Sequence, residues 1–150
     1  MSAVDFVVTR RCHRQYILST HYQQLLYLSH LSPDVGYEQL AAICRSSRQH
    51  NAELQLGGVL LFDGYRFCGL LEGPGESVES MCKALRGDKR HERMHVLVDR
   101  VLREYGSPRP WVSGYCDSEE LDAIESSGGL SEDQLLATYR AIAARSHLSP

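Results

Sequence analysis

Residues 54–73 read LQLGGVLLFDGYRFCGLLEG, two apolar runs interrupted once, at Asp63-Gly64. Asp-Gly between apolar runs is a strong short-range hairpin signal, because a type I′ turn needs positive φ at both central residues and these types tolerate it. The stretch predicts two adjacent antiparallel strands, and its flanks decide what they join. Upstream, QLLYLSH (24–30) is a short apolar run closed by the turn cluster LSPDVG, with the length of a buried strand. From Tyr37 to Gln49, Leu40, Ile43, Cys44 and Ser47 share one helical face, with Asp34 or Gly36 as the cap. Downstream, Pro74 stands at a helix start, and Val78, Met81, Cys82 and Leu85 repeat at helical spacing until Gly87 stops them.

HVLVDRVL (95–102) and, after SPRP, WVSGYC (111–116) read as two further strands. Ser118 to Ile124 is a short helix that SSGG breaks. Ser131 with Asp133 caps a last helix whose apolar face holds Leu135, Leu136, Tyr139 and Ile142. The order is β-α-β-β-α-β-β with two trailing helices, an α/β (α+β) chain built on a ferredoxin-like sheet. Right-handed crossovers place both main helices on one face of that sheet. The expected division is an N-terminal extension (1–23), a central domain (24–116) and a C-terminal helical extension (117–150) that packs on the domain.

The chain has 150 residues, 43% hydrophobic and 23% charged, enough for one core without a disulfide or metal staple. A net charge of -3 argues against a protein built to neutralise nucleic-acid phosphates. No apolar run approaches the roughly 18 residues of a spanning helix, and the N-terminal arginines follow the apolar residues, so neither membrane anchor nor signal peptide is expected. Cys12, Cys44, Cys68, Cys82 and Cys116 form no CxxC pair and read as packing thiols of a reduced, cytoplasmic protein. The histidines make no HExxH, GPGES lacks the ending of a P-loop, and no nucleophile-base signature has local context. No metal site and no enzyme are expected.

The stretch from Leu25 to Cys116 resembles the BLUF family, blue-light sensor domains that use FAD. LLYLSH carries a tyrosine, Tyr27, on the first strand, and SSRQHNAELQLGG places Asn51 24 residues later, the family's usual spacing. GVLLFDGYRFCGLLEG follows the family's hairpin, DKRH (88–91) matches its Asp-x-x-His run, and Trp111 opens the final strand. The resemblance implies a flavin ring between the two helices facing the sheet. Asn51 would bond its carbonyl edge, Tyr27 would stand beside it as electron and proton donor, and Arg90 and His91 would lie near the ribityl-phosphate arm. A side-chain amide, a phenol and a permanent guanidinium cation are chemically suited to those tasks.

The switch region departs from the family pattern. The glutamine expected just before x-L-E-G is Gly69, the methionine expected two residues after Trp111 is Ser113, and the threonine after the asparagine segment is Gly57. Glycine has no side chain whose hydrogen bonds light could rearrange. The resemblance thus implies a sensory or regulatory domain with its ordinary blue-light photocycle lost, acting through contact with a protein partner or through self-association. Plain readings stand beside these. Tyr27 also fits a core tyrosine, Asn51 a helix C-cap, GDKRHERMH a solvated charged turn, and Cys68 and Trp111 packing residues. Two other functions stay open: a cofactor-free interaction module of the same fold, and an acylphosphatase-type hydrolase using Arg90 and Asn51.

Overall fold

The computed structural model describes residues 21–104 and 109–150, so nearly all of the N-terminal extension lies outside the described residues. Strand β1 (Tyr22–Leu31) is buried along most of its length. It pairs antiparallel with β3 (Arg66–Pro74) on one side and with β4 (His91–Leu102) on the other. Strand β2 (Gly57–Phe62) pairs antiparallel with β3 and parallel with β5 (Trp111–Tyr115). The order across the sheet is β4-β1-β3-β2-β5-β6, where β6 (Leu148–Ser149) adds an antiparallel edge to β5. This is the α+β ferredoxin-like arrangement expected from the sequence. The two-residue β6 is new, being too short to leave a periodicity.

Side chains alternate across the strands and divide the interior into two layers. Leu25, Tyr27, Leu60, Phe62, Phe67 and Leu71 face helices α1 (Tyr37–Glu53) and α2 (Gly75–Gly87), which contribute Leu40, Ile43, Val78, Met81 and Cys82. Leu26, Leu28, Leu61, Cys68 and Leu70 face the opposite way. There α3 (Ser118–Glu125) and α4 (Glu132–Arg145) cover them with Leu121, Ile124, Leu135, Leu136, Tyr139 and Ile142. Both crossover helices therefore lie on one face and the trailing helices on the other.

Several local expectations shift. The hairpin turn is centred on Gly64-Tyr65, since Phe62 pairs with Phe67 and Asp63 N–H donates to the Arg66 carbonyl. Only Gly64 has positive φ, the II′ sign pattern, and the Asp63 carboxylate holds the turn by accepting from the Tyr65 and Arg66 amides. Helix α1 continues past Gln49, and its N-cap is Gly36 without a side-chain bond, so Asp34 does not cap it. The left-handed residue after α1 is Gln55 (φ 57°), which leaves Asn51 inside the last turn and removes its C-cap reading. At α4 the capping box is Ser131 with Gln134, while Asp133 turns to Arg100 at 2.6 Å. Strand β4 starts at His91 and carries two bulges. Arg93 sits in the first of them, at φ 48°.

Candidate functional site

The ladder register sets Val96, Tyr27, Gly69, Leu60 and Ser113 side by side across β4, β1, β3, β2 and β5. Tyr27 and Leu60 belong to the layer under α1 and α2, so this row crosses the floor between the two helices. Tyr27 is 3% exposed, and burial first, then neighbouring cysteines, pushes its phenol well above the usual tyrosine range. Its ring rests on the Gly69 backbone: a β-carbon at 69 would lie 2.5 Å from Cε1, 2.6 Å from Cζ and 2.7 Å from the hydroxyl oxygen. The glycine is thus what leaves room for the phenol against β3. Cys68 and Leu70, its chain neighbours, face the other layer. Cys68 consequently packs away from this site, and burial pushes its thiol far up.

Asn51 is 1% exposed, and its Oδ1 has no hydrogen-bond partner among the described residues. A buried amide oxygen left without a donor costs about 1–3 kcal/mol, so its retention needs a reason. Its backbone carbonyl accepts from Leu56 N–H at 2.8 Å, fixing the end of α1 against the start of β2. A ligand presenting an N–H there would satisfy the orphan, and the imide of a flavin is such a donor. By this measure the residues present fit that group.

At the other end of the strands, Arg90 N–H and guanidinium both bond Asp88, the closest contact being Nη2 to Oδ2 at 2.7 Å. That pairing holds the Asp88 carboxyl below the ordinary carboxylate value and the Arg90 guanidinium above its own. Arg90 is therefore already engaged, and reaching a phosphate would require it to leave Asp88. The half-buried His91 shares a 2.9 Å hydrogen bond between Nδ1 and Ser29 Oγ, and its ring lies 4.8 Å from that of Phe67. Burial lowers its pKa from 6.5, against the pull of Asp88. Trp111 is buried in the same layer as Tyr27, opposite Gly58. Ser113, opposite Leu60, lines a recess of about 160 Å³ with Cys44, Phe62 and Tyr115.

Other polar groups were not singled out from the sequence. Arg66, 8% exposed, donates to Asp63, Glu125 and the Ser118 carbonyl and pairs with Asp122 at 2.8 Å, fastening the hairpin to α3. Only Asp63 was readable as a near neighbour in sequence. Gln24 bonds Glu72 and accepts from Arg100 Nε at 2.9 Å. Tyr139 was legible as an apolar-face residue, but not its hydroxyl contacts with the Val59 and Cys68 carbonyls. Among the described residues no cluster of His, Cys, Asp and Glu is arranged to hold a metal, and no helix is long and apolar enough to cross a membrane.

The fold is shared with solved structures. The dark-state structure of BlrB, a BLUF protein, superposes with a TM-score of 0.64 at 21% identity, covering 82% of this chain and 98% of that one. The photo-activated state of BlsA gives 0.65 at 19% identity, over 81% and 94%. In sequence, the blue light- and temperature-regulated antirepressor BluF of Escherichia coli (strain K12) is 34% identical over 67 residues, 45% of this chain and 17% of that protein. The photoactivated adenylate cyclase subunit beta of Euglena longa is 29% identical over 97 residues, 65% of this chain and 11% of that protein. This chain thus spans less than a fifth of the length of either relative. The sequence profile described as "Sensors of blue-light using FAD" matches residues 22–106, more than half of the chain, and with the register of β1, α1, β2, β3, α2 and β4 now in view the conclusion is direct: the chain belongs to the BLUF family.

Proposed function

We propose that this chain is a BLUF sensory domain that binds FAD between α1 and α2, lacks the family's ordinary blue-light photocycle, and acts by contact with another protein or a second copy. The observation that carries the reading is the buried, donorless Oδ1 of Asn51. Tyr27 supports it, standing midway between Asn51 at one end of the strands and Arg90 with His91 at the other. At a rise of about 3.3 Å per residue, Ser29, the partner of His91, lies about 7 Å along β1 from Tyr27, so an elongated ligand parallel to the strands would run from Asn51 past Tyr27 toward His91, and would reach the Arg90 guanidinium only if that group left Asp88. When bound, the flavin supplies a light-absorbing, redox-active ring. Asn51 orients its polar edge and Tyr27 packs beside it. Gly69 offers no side-chain amide to rearrange.

One observation favours a second reading, the cofactor-free module. Leu40, Ile43, Val78, Met81 and Cys82 are all buried, and the Tyr27 ring already covers Gly69. Trp111, the one tryptophan of the chain, shares that layer and reports on both readings. Titrating the protein with FAD while following Trp111 emission should give saturable quenching that Asn51→Leu weakens about tenfold or more, a loss of roughly 1.4 kcal/mol. Absence of saturable quenching would favour the module. A hydrolase reading through Arg90 and Asn51 gains no support, because the two residues sit at opposite ends of the strands.

A further inference from the structure

Gly69 is approached from both faces of the sheet. On one face the Tyr27 ring lies on its backbone. On the other, Tyr139 of α4, 0% exposed, directs its hydroxyl into the β2–β3 ladder, 2.7 Å from the Val59 carbonyl oxygen and 3.1 Å from that of Cys68. The Cys68 carbonyl belongs to the peptide bond whose nitrogen is Gly69. The Val59 carbonyl belongs to the peptide bond of Leu60, the ladder partner of Gly69. Two tyrosines therefore hold one rung from opposite sides, and α4 has a second fastening to β3 further along the strand, where Arg140 pairs with Glu72 at 3.9 Å.

We infer that Tyr139 is a positioning residue that couples α4 to the Tyr27 site through the Cys68–Gly69 peptide. The ligand that would drive the coupling is the one of the proposed function; the mechanical link stands on the contacts alone. Because position 69 has no side chain, a displacement of the Tyr27 ring acts on β3 backbone rather than on a flexible spacer. A buried hydroxyl has no water to turn to, so moving the rung strands the Tyr139 O–H unless α4 moves with it. The dependence is reciprocal: whatever binds or strains α4 alters how easily the Tyr27 ring is displaced.

The test uses the full chain with Gly69→Ala, whose methyl must push the Tyr27 ring away, in the presence of Tyr139 and in the Tyr139→Phe background, which removes only the hydroxyl. Amide hydrogen exchange over residues 131–145 is the readout. Gly69→Ala should speed exchange in α4 about fivefold or more when Tyr139 is present, and less than about twofold in the Tyr139→Phe background. An equal response in both backgrounds, or none in either, overturns the inference. Should Gly69→Ala fail to fold, Tyr27→Leu, which withdraws the ring from the same glycine, takes its place with the same two outcomes. A parallel arm adds FAD to the unsubstituted Gly69 protein. Failure of FAD to bind there would count against the proposed function and leave the substitution arm to decide the coupling.

Discussion

The phenol ring of Tyr27 occupies the space over Gly69 that a side chain at that position would fill, its Cε1 falling 2.5 Å from where a β-carbon would stand. The two residues are direct partners in the β1–β3 ladder, which sets the ring opposite that glycine. Overpacking a dense layer typically costs about 1–3 kcal/mol. Gly69→Gln should therefore destabilise the flavin-free protein by about that much in urea unfolding. In a Tyr27→Ala background the same change should cost much less. Equal costs in the two backgrounds would show that the ring does not occupy this space.

Asn51 carries the opposite balance. Its Oδ1 is buried without a donor, so Asn51→Leu should leave the flavin-free protein at least as stable, with a gain of about 1 kcal/mol, while weakening FAD binding. Thermal unfolding with and without FAD separates the two effects. A destabilised flavin-free variant would mean that the amide is satisfied in solution and is not reserved for a ligand.

Much of this fold was legible because its strands and helices differ in period. Val78, Met81 and Cys82 repeat at helical spacing and are buried on α2, and Leu135, Leu136, Tyr139 and Ile142 do the same on α4. The hairpin was visible in Asp63-Gly64, yet the turn moved by one residue because the Asp63 carboxylate captures the Tyr65 and Arg66 amides, a side-chain preference that apolar periodicity does not record. The position of Gly69 opposite Tyr27 depends on β1–β3 register, which pairs residues far apart in sequence. Family spacing singled out both residues, but not that one ring would lie on the other's backbone. The partners of Arg66 on α3 are beyond the reach of any local pattern.

Arg66 provides a further test. It satisfies Asp63, whose side chain is fully buried, together with the more exposed Asp122 and Glu125. Burial opposes its charge, yet the hydrogen bonds it donates to Glu125, Asp63 and Asp122 outweigh that and push the guanidinium pKa further up. Replacing it leaves a buried carboxylate unpaired. Arg66→Met should cost about 3 kcal/mol in chemical denaturation and loosen α3 from the hairpin. Adding Asp63→Asn should recover part of that loss. An Arg66→Met protein as stable as the parent would contradict the role given to the cluster.

Acidification should weaken the flavin-free fold in a defined direction. Burial lowers the pKa of both His91 and His30 from 6.5; for His30, Arg93 acts in the same sense, with Glu125 and Glu92 opposing and Arg66 reinforcing. Well above pH 6.5 both histidines are neutral in both states, so their contribution is fully present. As the pH falls below 6.5 the unfolded chain binds protons first, and stability declines until the lower folded values are passed. Asp88, lowered from 3.8 chiefly by its hydrogen bond with Arg90, adds a loss of the same sign at more acidic pH. Urea midpoints across pH 6.5 should fall on the acid side and flatten when His30 and His91 are both replaced by glutamine. An unchanged slope in that variant would assign the acid sensitivity to other groups.

The most direct measurement is the visible absorption of the purified full chain after loading with excess FAD and removing free ligand, recorded in the dark and under blue light. The account predicts structured oxidised-flavin bands that illumination does not shift reversibly, because Gly69 presents no side-chain amide to the ring. A reversible red shift under blue light would contradict the reading of Gly69, and a protein that retains no FAD would contradict the site built around Asn51 and Tyr27.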